Sequence, residues 1–184
     1  MENFNQLGVN EHLVKALEEN KIIKPSEIQQ LVIPYLLKNN TDFIGQAQTG
    51  TGKTVAFGIP LLQRLNPKIK EIQVLVLSPT RELCQQIAKQ IFKMTKYSEK
   101  VFAEAVYGGE KIDIQIARLQ RPTQVVVATP GRLIDLLERK ALDISKVKTI
   151  VLDEADEMLS MGFKEAIDGI ISQIHPENIK WLFT

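Results

Sequence analysis

The sequence predicts an α/β protein in which one parallel β-sheet is covered by helices on both faces. Three observations carry this. Short apolar runs alternate with longer amphipathic stretches along the chain. Several of the runs are apolar at successive positions, as in Val74-Leu75-Val76-Leu77 and Val125-Val126-Val127. A strand with one wet face would alternate instead, so these strands are expected to be buried on both sides. Helical patterns follow the runs closely, which gathers the loops at the carboxyl ends of the strands, where such folds bind ligands. The 184 residues suit one domain, 1–184, and the 44% hydrophobic and 24% charged content is ordinary for a globular chain.

Taken in order, residues 11–20 carry Leu13, Val14, Ala16 and Leu17 at helical spacing. Pro25-Ser26 opens a helix over 27–37, with Ile28, Leu31 and Val32 on one side. A strand over 42–47 leads through a glycine-rich loop into a helix over 53–65. A strand over 73–78 leads to a helix over 81–95, whose stripe is Leu83, Ile87, Ile91 and Met94. Strands follow at 101–106 and 124–128. Pro130 suits a first helical position, ahead of Leu133, Leu136 and Leu137. The chain ends with a strand over 149–153, a helix over 162–174 and a strand over 180–184.

Composition narrows the class. The net charge of +1 gives no global basic field, which leaves room only for a local phosphate-binding patch. Cys84 is the single cysteine, so no intrachain disulfide is possible, and its helical setting predicts a small buried filler. His12 and His175 lie far apart and are read as surface residues, not zinc ligands. No apolar run approaches the ~20 residues of a membrane span, and residues 1–10 lack the order of a secretory signal. A soluble, cytoplasmic protein without a membrane partner is expected.

The most informative stretch is Ala47-Gln48-Thr49-Gly50-Thr51-Gly52-Lys53-Thr54. It lies between an apolar run and a helical one, the context of a phosphate-binding loop. Gly50 and Gly52 permit tight turns and the close approach of an anion. Gln48, Thr49, Gly50, Thr51 and Gly52 would cradle phosphates, and Lys53 would supply a point charge to them. Thr54 would offer its hydroxyl to Mg²⁺. Ala47 stands where the general pattern has glycine. The partner motif is Thr149-Ile150-Val151-Leu152 ending in Asp153-Glu154. In a parallel sheet those acids face the same rim as the loop. Asp153 would hold Mg²⁺, in part through water, and Glu154 would orient or deprotonate an attacking water. Lys53, Asp153 and Glu154 are the candidate catalytic residues of a Mg²⁺-ATP hydrolysis site.

Asp153-Glu154-Ala155-Asp156 spells DEAD, and with the loop the chain resembles the DEAD-box family of ATP-dependent RNA helicases. The resemblance spans nearly the whole chain. Pro25-Ser26-Glu27-Ile28-Gln29 is similar to the family's adenine-reading Q motif, which places about 1–38 in that region. Pro79-Thr80-Arg81-Glu82-Leu83 and Thr129-Pro130-Gly131-Arg132 resemble its two RNA-contacting motifs, with the pair Gly108-Gly109 between them. Met158-Leu159 and Gly162-Phe163 fit the usual sequel to DEAD. The resemblance implies a RecA-like first domain that binds ATP with Mg²⁺ and contacts RNA. It implies adenine reading by the Gln29 amide, which can donate and accept at once, and RNA contacts at Pro79, Thr80, Arg81, Gly108, Gly109, Thr129, Gly131 and Arg132. It also implies coupling to a second domain through Asp156. These contacts suit a sugar-phosphate backbone, since no aromatic is interleaved among them.

Three positions depart from the family pattern. Ile22 stands where an aromatic usually stacks near adenine, so it can wall the base without offering an aromatic face. Lys21 stands where glycine is common. Thr184 stands at the Ser of the Ser-Ala-Thr motif, whose remaining residues lie beyond the sequence. The family's second RecA-like domain, which supplies arginines to the γ-phosphate, is likewise absent. The expectation is a monomeric domain that binds nucleotide, hydrolyses it slowly and does not unwind RNA. In the full protein, ATP and RNA would jointly close the two domains around a kinked strand. A DNA translocase, a nucleotide kinase and a non-catalytic ATP-gated RNA clamp are the competing readings.

Overall fold

Six parallel strands form one sheet in the computed structural model, which describes residues 3–184. They are β1 (Phe43–Gly45), β2 (Val74–Leu77), β3 (Ala103–Val106), β4 (Val125–Ala128), β5 (Thr149–Asp153) and β6 (Ile179–Phe183), in the spatial order β1-β6-β5-β2-β4-β3. The helices among these residues are α1 (Glu11–Glu19), α2 (Glu27–Lys38), α3 (Lys53–Arg64), α4 (Arg81–Met94), α5 (Ile112–Leu119), α6 (Pro130–Glu138), α7 (Ala155–Ser160) and α8 (Lys164–Ile171). This is the expected α/β sandwich.

Side chains on a strand alternate between faces, and every strand but β1 feeds two cores. Val74, Val76, Val125, Val127, Val151, Trp181 and Phe183 join one apolar cluster with α1 to α4. Leu75, Leu77, Val126, Ala128, Ile150 and Leu152 join the other with α6, α7 and α8, against which α5 packs Ile112, Ile116 and Leu119. Three of the four inner strands, β2, β4 and β5, are buried at every residue, as their apolar runs require, and the fourth, β6, alternates between buried and half-buried. At the edges the pattern relaxes. β3 alternates, and Ile44 of β1 is exposed. Cys84 is buried, as its helical setting predicts.

The structure adds detail where the sequence signal was weak. The α5 stretch, 112–119, has a single buried residue, Gln115, so it carried little apolar periodicity to detect. The predicted helix over 162–174 is α8, shorter at both ends, and α7 before it was not anticipated. α7 ends at Ser160, Gly162 takes φ +83°, and α8 begins at Lys164. A left-handed glycine ends one helix and releases the chain into the next. Pro34 and Pro60 sit inside α2 and α3 without ending them.

Candidate functional site

All strands are parallel, so the carboxyl ends of β1, β2, β4 and β5 lie on one rim. The loop after β1 closes on itself through Thr51 Oγ1, which donates to the Gln48 carbonyl (2.7 Å). Gly50 and Gly52 take φ +81° and +93°, a region that favours glycine. Gly52 is the N-cap of α3, so Lys53 begins that helix and Thr54 lies in its first turn. The free amides of this helix start make the loop an anion cradle.

The N-terminal segment braces the cradle. Ser26 Oγ donates to the Thr51 carbonyl (2.8 Å), and Gln29 Nε2 donates to the Gly52 carbonyl (3.1 Å). Gln29 Oε1 accepts from Ser26 N–H (3.0 Å), which caps α2. The Gln29 amide, buried, is thus engaged at both ends. Lys21 adopts φ +62°, the conformation that glycine would favour at that position. Ile22 is half-buried against the first core, and the Phe4 ring lies within it.

Lys53 is nearly buried, and its positive charge acts on the titration of both Asp153 and Glu154. The cation and the two acids therefore lie near enough on the rim for their charges to interact. Burial raises the Asp153 carboxyl above its ordinary value, and Lys53 opposes that rise. Asp153 Oδ1 is buried without a hydrogen-bond partner, so no side chain fixes that oxygen and the carboxylate can present its other one to a cation. No cluster of three acidic, His or Cys ligands exists among the described residues. A cation held by Asp153 and the Thr54 hydroxyl would draw its other ligands from phosphate oxygens and water. Glu154 adopts φ +54°, strained for a side-chain-bearing residue. Burial first, then hydrogen bonding with Glu157 and the Asp153 charge, push its carboxyl up to about 7.

The second half of the rim holds the other candidates. Thr80 caps α4 by accepting from Leu83 N–H (3.3 Å), Pro79 is buried behind it, and Thr129 and Pro130 open α6. Gly108 and Gly131 are exposed, and a Cβ on either would meet nothing. Gly109 takes φ +87°, and a Cβ there would lie 3.3 Å from Arg81 Nη1. The exposed Arg81 guanidinium stands 5.1 Å from the Tyr107 ring centroid. Tyr107 OH accepts from Gln85 Nε2 (2.7 Å). An aromatic is therefore interleaved among the basic residues, but it is buried and serves as a rest for Arg81, not as a stacking platform for bases. Arg132 donates through both terminal nitrogens to the Glu110 carbonyl (3.1 Å each) and through Nη1 to Gln115 Oε1 (3.0 Å). Its partner is the glycine loop; the nearby Asp135 pairs with Arg139. Arg118 and Gln115 hold the Glu110 carboxyl below its usual range. Tyr107, Glu110 and Gln115 were not anticipated as site residues, although Tyr107 and Glu110 directly flank Gly108-Gly109. Asp156 is exposed in the first turn of α7.

A glycine loop that opens a helix after the edge strand, facing an acid pair at the end of an inner strand, defines a RecA-like domain. The DEAD/DEAH box helicase family matches over residues 26–184, and the chain belongs to that family. The Escherichia coli (strain K12) ATP-dependent RNA helicase DeaD is 49% identical over 171 residues, 93% of this chain and 27% of that protein. The DEAD-box ATP-dependent RNA helicase CshA of Streptococcus pneumoniae serotype 4 is 47% identical over 175 residues, 95% of this chain and 33% of that protein. A crystal structure of a DEAD box protein from Methanococcus jannaschii superposes with a TM-score of 0.92 at 37% identity, over 99% of this chain and 49% of that one. The chain thus spans about a quarter to a third of these curated relatives. No helix among the described residues is long and apolar enough to cross a membrane.

Proposed function

We propose that this chain is the nucleotide-binding domain of an ATP-dependent RNA helicase, and that ATP binds with Mg²⁺ on the rim between the phosphate loop and the acid pair. The observation that carries the reading is the interaction between the charges of Lys53, Asp153 and Glu154 at the end of the sheet. The loop amides and Lys53 neutralise the phosphates. Asp153 and Thr54 hold the cation, which screens the charge between phosphate oxygens. Glu154, in its ionised form, orients the attacking water and takes its proton. Gln29 and Ile22 border the base.

RNA lies along the second half of the rim. Thr80 and Thr129 offer hydroxyls and helix starts, Arg81 a charge, and Gly108, Gly109 and Gly131 room for a close sugar-phosphate chain. Arg132 acts in this reading by fixing the glycine loop. RNA is preferred over DNA through 2′-OH contacts. A second RecA-like domain closes over both ligands in the full protein. An arginine supplied from outside raises nucleotide hydrolysis by about 10³–10⁵, so the isolated chain binds nucleotide, turns it over slowly and does not unwind.

The test is turnover of the full-length parent with RNA, with DNA and with neither, beside the 184-residue chain alone. The expected pattern is RNA-stimulated hydrolysis by the parent and weak, RNA-independent hydrolysis by the chain. Duplex separation by the isolated chain, or DNA stimulation equal to RNA stimulation, would refute it.

A further inference from the structure

Two buried oxygens next to the cation site make no hydrogen bond: Asp153 Oδ1 and Ser78 Oγ. Their positions are linked through the sheet. Leu77 of β2 pairs with Leu152 of β5, so the next residues, Ser78 and Asp153, are level on neighbouring strands. The ladder continues through Ser78, whose N–H donates to the Ala128 carbonyl (3.0 Å). Leu77 and Leu152 both face the second core. Alternation therefore turns Ser78 and Asp153 to the same opposite face, toward α3 and α4. Side chains level on adjacent strands and on one face lie within reach of each other.

Cys84 of α4 closes this corner. Its thiol lies beside Ser78 and feels the Asp153 charge, and burial pushes it up to about 12. A neutral thiol is a weak hydrogen-bonding group, and its contact with Ser78 leaves the hydroxyl without a hydrogen bond of ordinary geometry. Ser78 is completely buried, so bulk water does not serve its hydroxyl. A buried hydroxyl with no partner carries a desolvation cost. A donor beside an unpartnered carboxylate oxygen can remove that cost on both sides at once.

We propose that Ser78 is a positioning residue for Asp153: its hydroxyl donates to Asp153 Oδ1, by rotation or through one buried water, and aims the other carboxylate oxygen at the nucleotide-bound cation. A turn of the Ser78 side chain about χ1, or one bridging water, makes this bond without backbone movement. The hydrogen bond favours the ionised carboxylate, the form a cation requires. This rests on the reading of Asp153 as a cation ligand.

The experiment measures ADP and ATP binding to the 184-residue chain by calorimetry, with Mg²⁺ and with chelator, for the native protein, Ser78→Ala and Asp153→Asn. Ser78→Ala is expected to reduce the Mg²⁺-dependent gain in nucleotide affinity on the order of tenfold, the scale of one hydrogen bond to a charged group. Metal-free affinity should stay within about twofold, and the thermal midpoint should hold or rise, because an unpartnered buried hydroxyl is removed. Ser78→Thr, which keeps the hydroxyl, should recover most of the Mg²⁺ gain. An unchanged Mg²⁺ gain in Ser78→Ala beside a lost gain in Asp153→Asn would overturn this inference alone. Equal loss with and without Mg²⁺ would make Ser78 a merely structural residue and overturn it as well. An unchanged gain in Asp153→Asn would remove the cation-ligand reading, and this inference with it.

Discussion

Gly52→Ala should damage the phosphate loop by two separable routes. The first is backbone strain. Gly52 sits at φ +93°, and a residue with a Cβ in the left-handed region costs about 1–2 kcal/mol. The second is collision. The added Cβ would lie 2.2 Å from Gln29 Nε2 and 3.3 Å from Gln29 Cδ, with Ser26 Oγ at 3.4 Å. Gln29 is buried and bonded at both ends of its amide, so it cannot swing aside without breaking both bonds. At about 0.5–1.5 kcal/mol each, that adds about 1–3 kcal/mol. The total is about 2–5 kcal/mol, or a fall of several degrees in midpoint at about 2–4 °C per kcal/mol for a chain of this size. In a Gln29→Ala background the collision is gone and only the strain remains, so the cost of Gly52→Ala should shrink by about 1–3 kcal/mol. Urea unfolding of the four members of the cycle measures this. Gly50→Ala is the control. It shares the positive φ but has nothing within 4 Å of its Cβ, so its cost should not depend on Gln29. An equal cost of Gly52→Ala in both backgrounds would refute the idea that Gln29 clamps the loop.

Lys53→Ala should weaken ATP binding on the order of 100-fold, because charge-assisted bonds to two phosphates are lost together; calorimetry showing unchanged affinity would remove the phosphate-loop reading. Glu154 gives a pH signature. Its folded carboxyl titrates near 7, above its ordinary value of 4.5, so burial leaves stability intact below about 4.5 and erodes it as pH rises toward 7. Glu154→Gln should therefore stabilise the fold at pH 8 by about 1 kcal/mol once solvent screening is allowed for, with a raised thermal midpoint, and the gain should fade by pH 5 in calorimetric scans. Turnover by the parent, if Glu154 is the base, should rise through about pH 7 and vanish in the same variant. Arg132→Ala should weaken single-stranded RNA binding of the parent by about 3–10-fold through a loosened glycine loop; Gln115→Ala, which removes a partner of both Arg132 and Tyr107, should share the loss in fluorescence anisotropy, and an unaffected Gln115→Ala would assign Arg132 to direct contact.

What could be read from the sequence depended on whether local order encodes the feature. The inner strands β2, β4 and β5 announced themselves because burial on both faces forces unbroken apolar runs such as Val74–Leu77. The edge strand β1 shrank from six residues to Phe43–Gly45 because one side of an edge has no neighbour to specify it. The glycines of the loop were legible because their left-handed backbone admits little else. Nothing in Gly108-Gly109 says that Arg132, more than twenty residues on, will hold the carbonyl of Glu110. Nor does Ser78 reveal a carboxylate for a neighbour, since strand order alone puts β2 beside β5. Residue type and spacing encode which groups end at the rim; the crossovers decide which of them meet.

Those meetings divide the rim into two separately braced halves. Ser26 and Gln29 tie the N-terminal segment to the phosphate loop. Arg132, Gln115 and Tyr107 tie α6, α5 and α4 to the glycine loop. No hydrogen bond among the described residues runs directly from the first group to the second; between them stand the ends of β5 and β2, with Asp153, Ser78 and Cys84 packed together. A ligand on one half can bias the other only through a state in which both are bound better than either alone. A partner domain that touched both halves at once would supply such a state. In its absence, nucleotide and RNA should bind this chain independently. ATP affinity measured with and without saturating single-stranded RNA should agree within about twofold for the 184-residue chain, whereas a coupling of 1–3 kcal/mol, 5–150-fold, is typical where allostery operates. A coupling of that size in the isolated chain would place the communication inside this domain, at the β2–β5 junction, and would contradict the division drawn here.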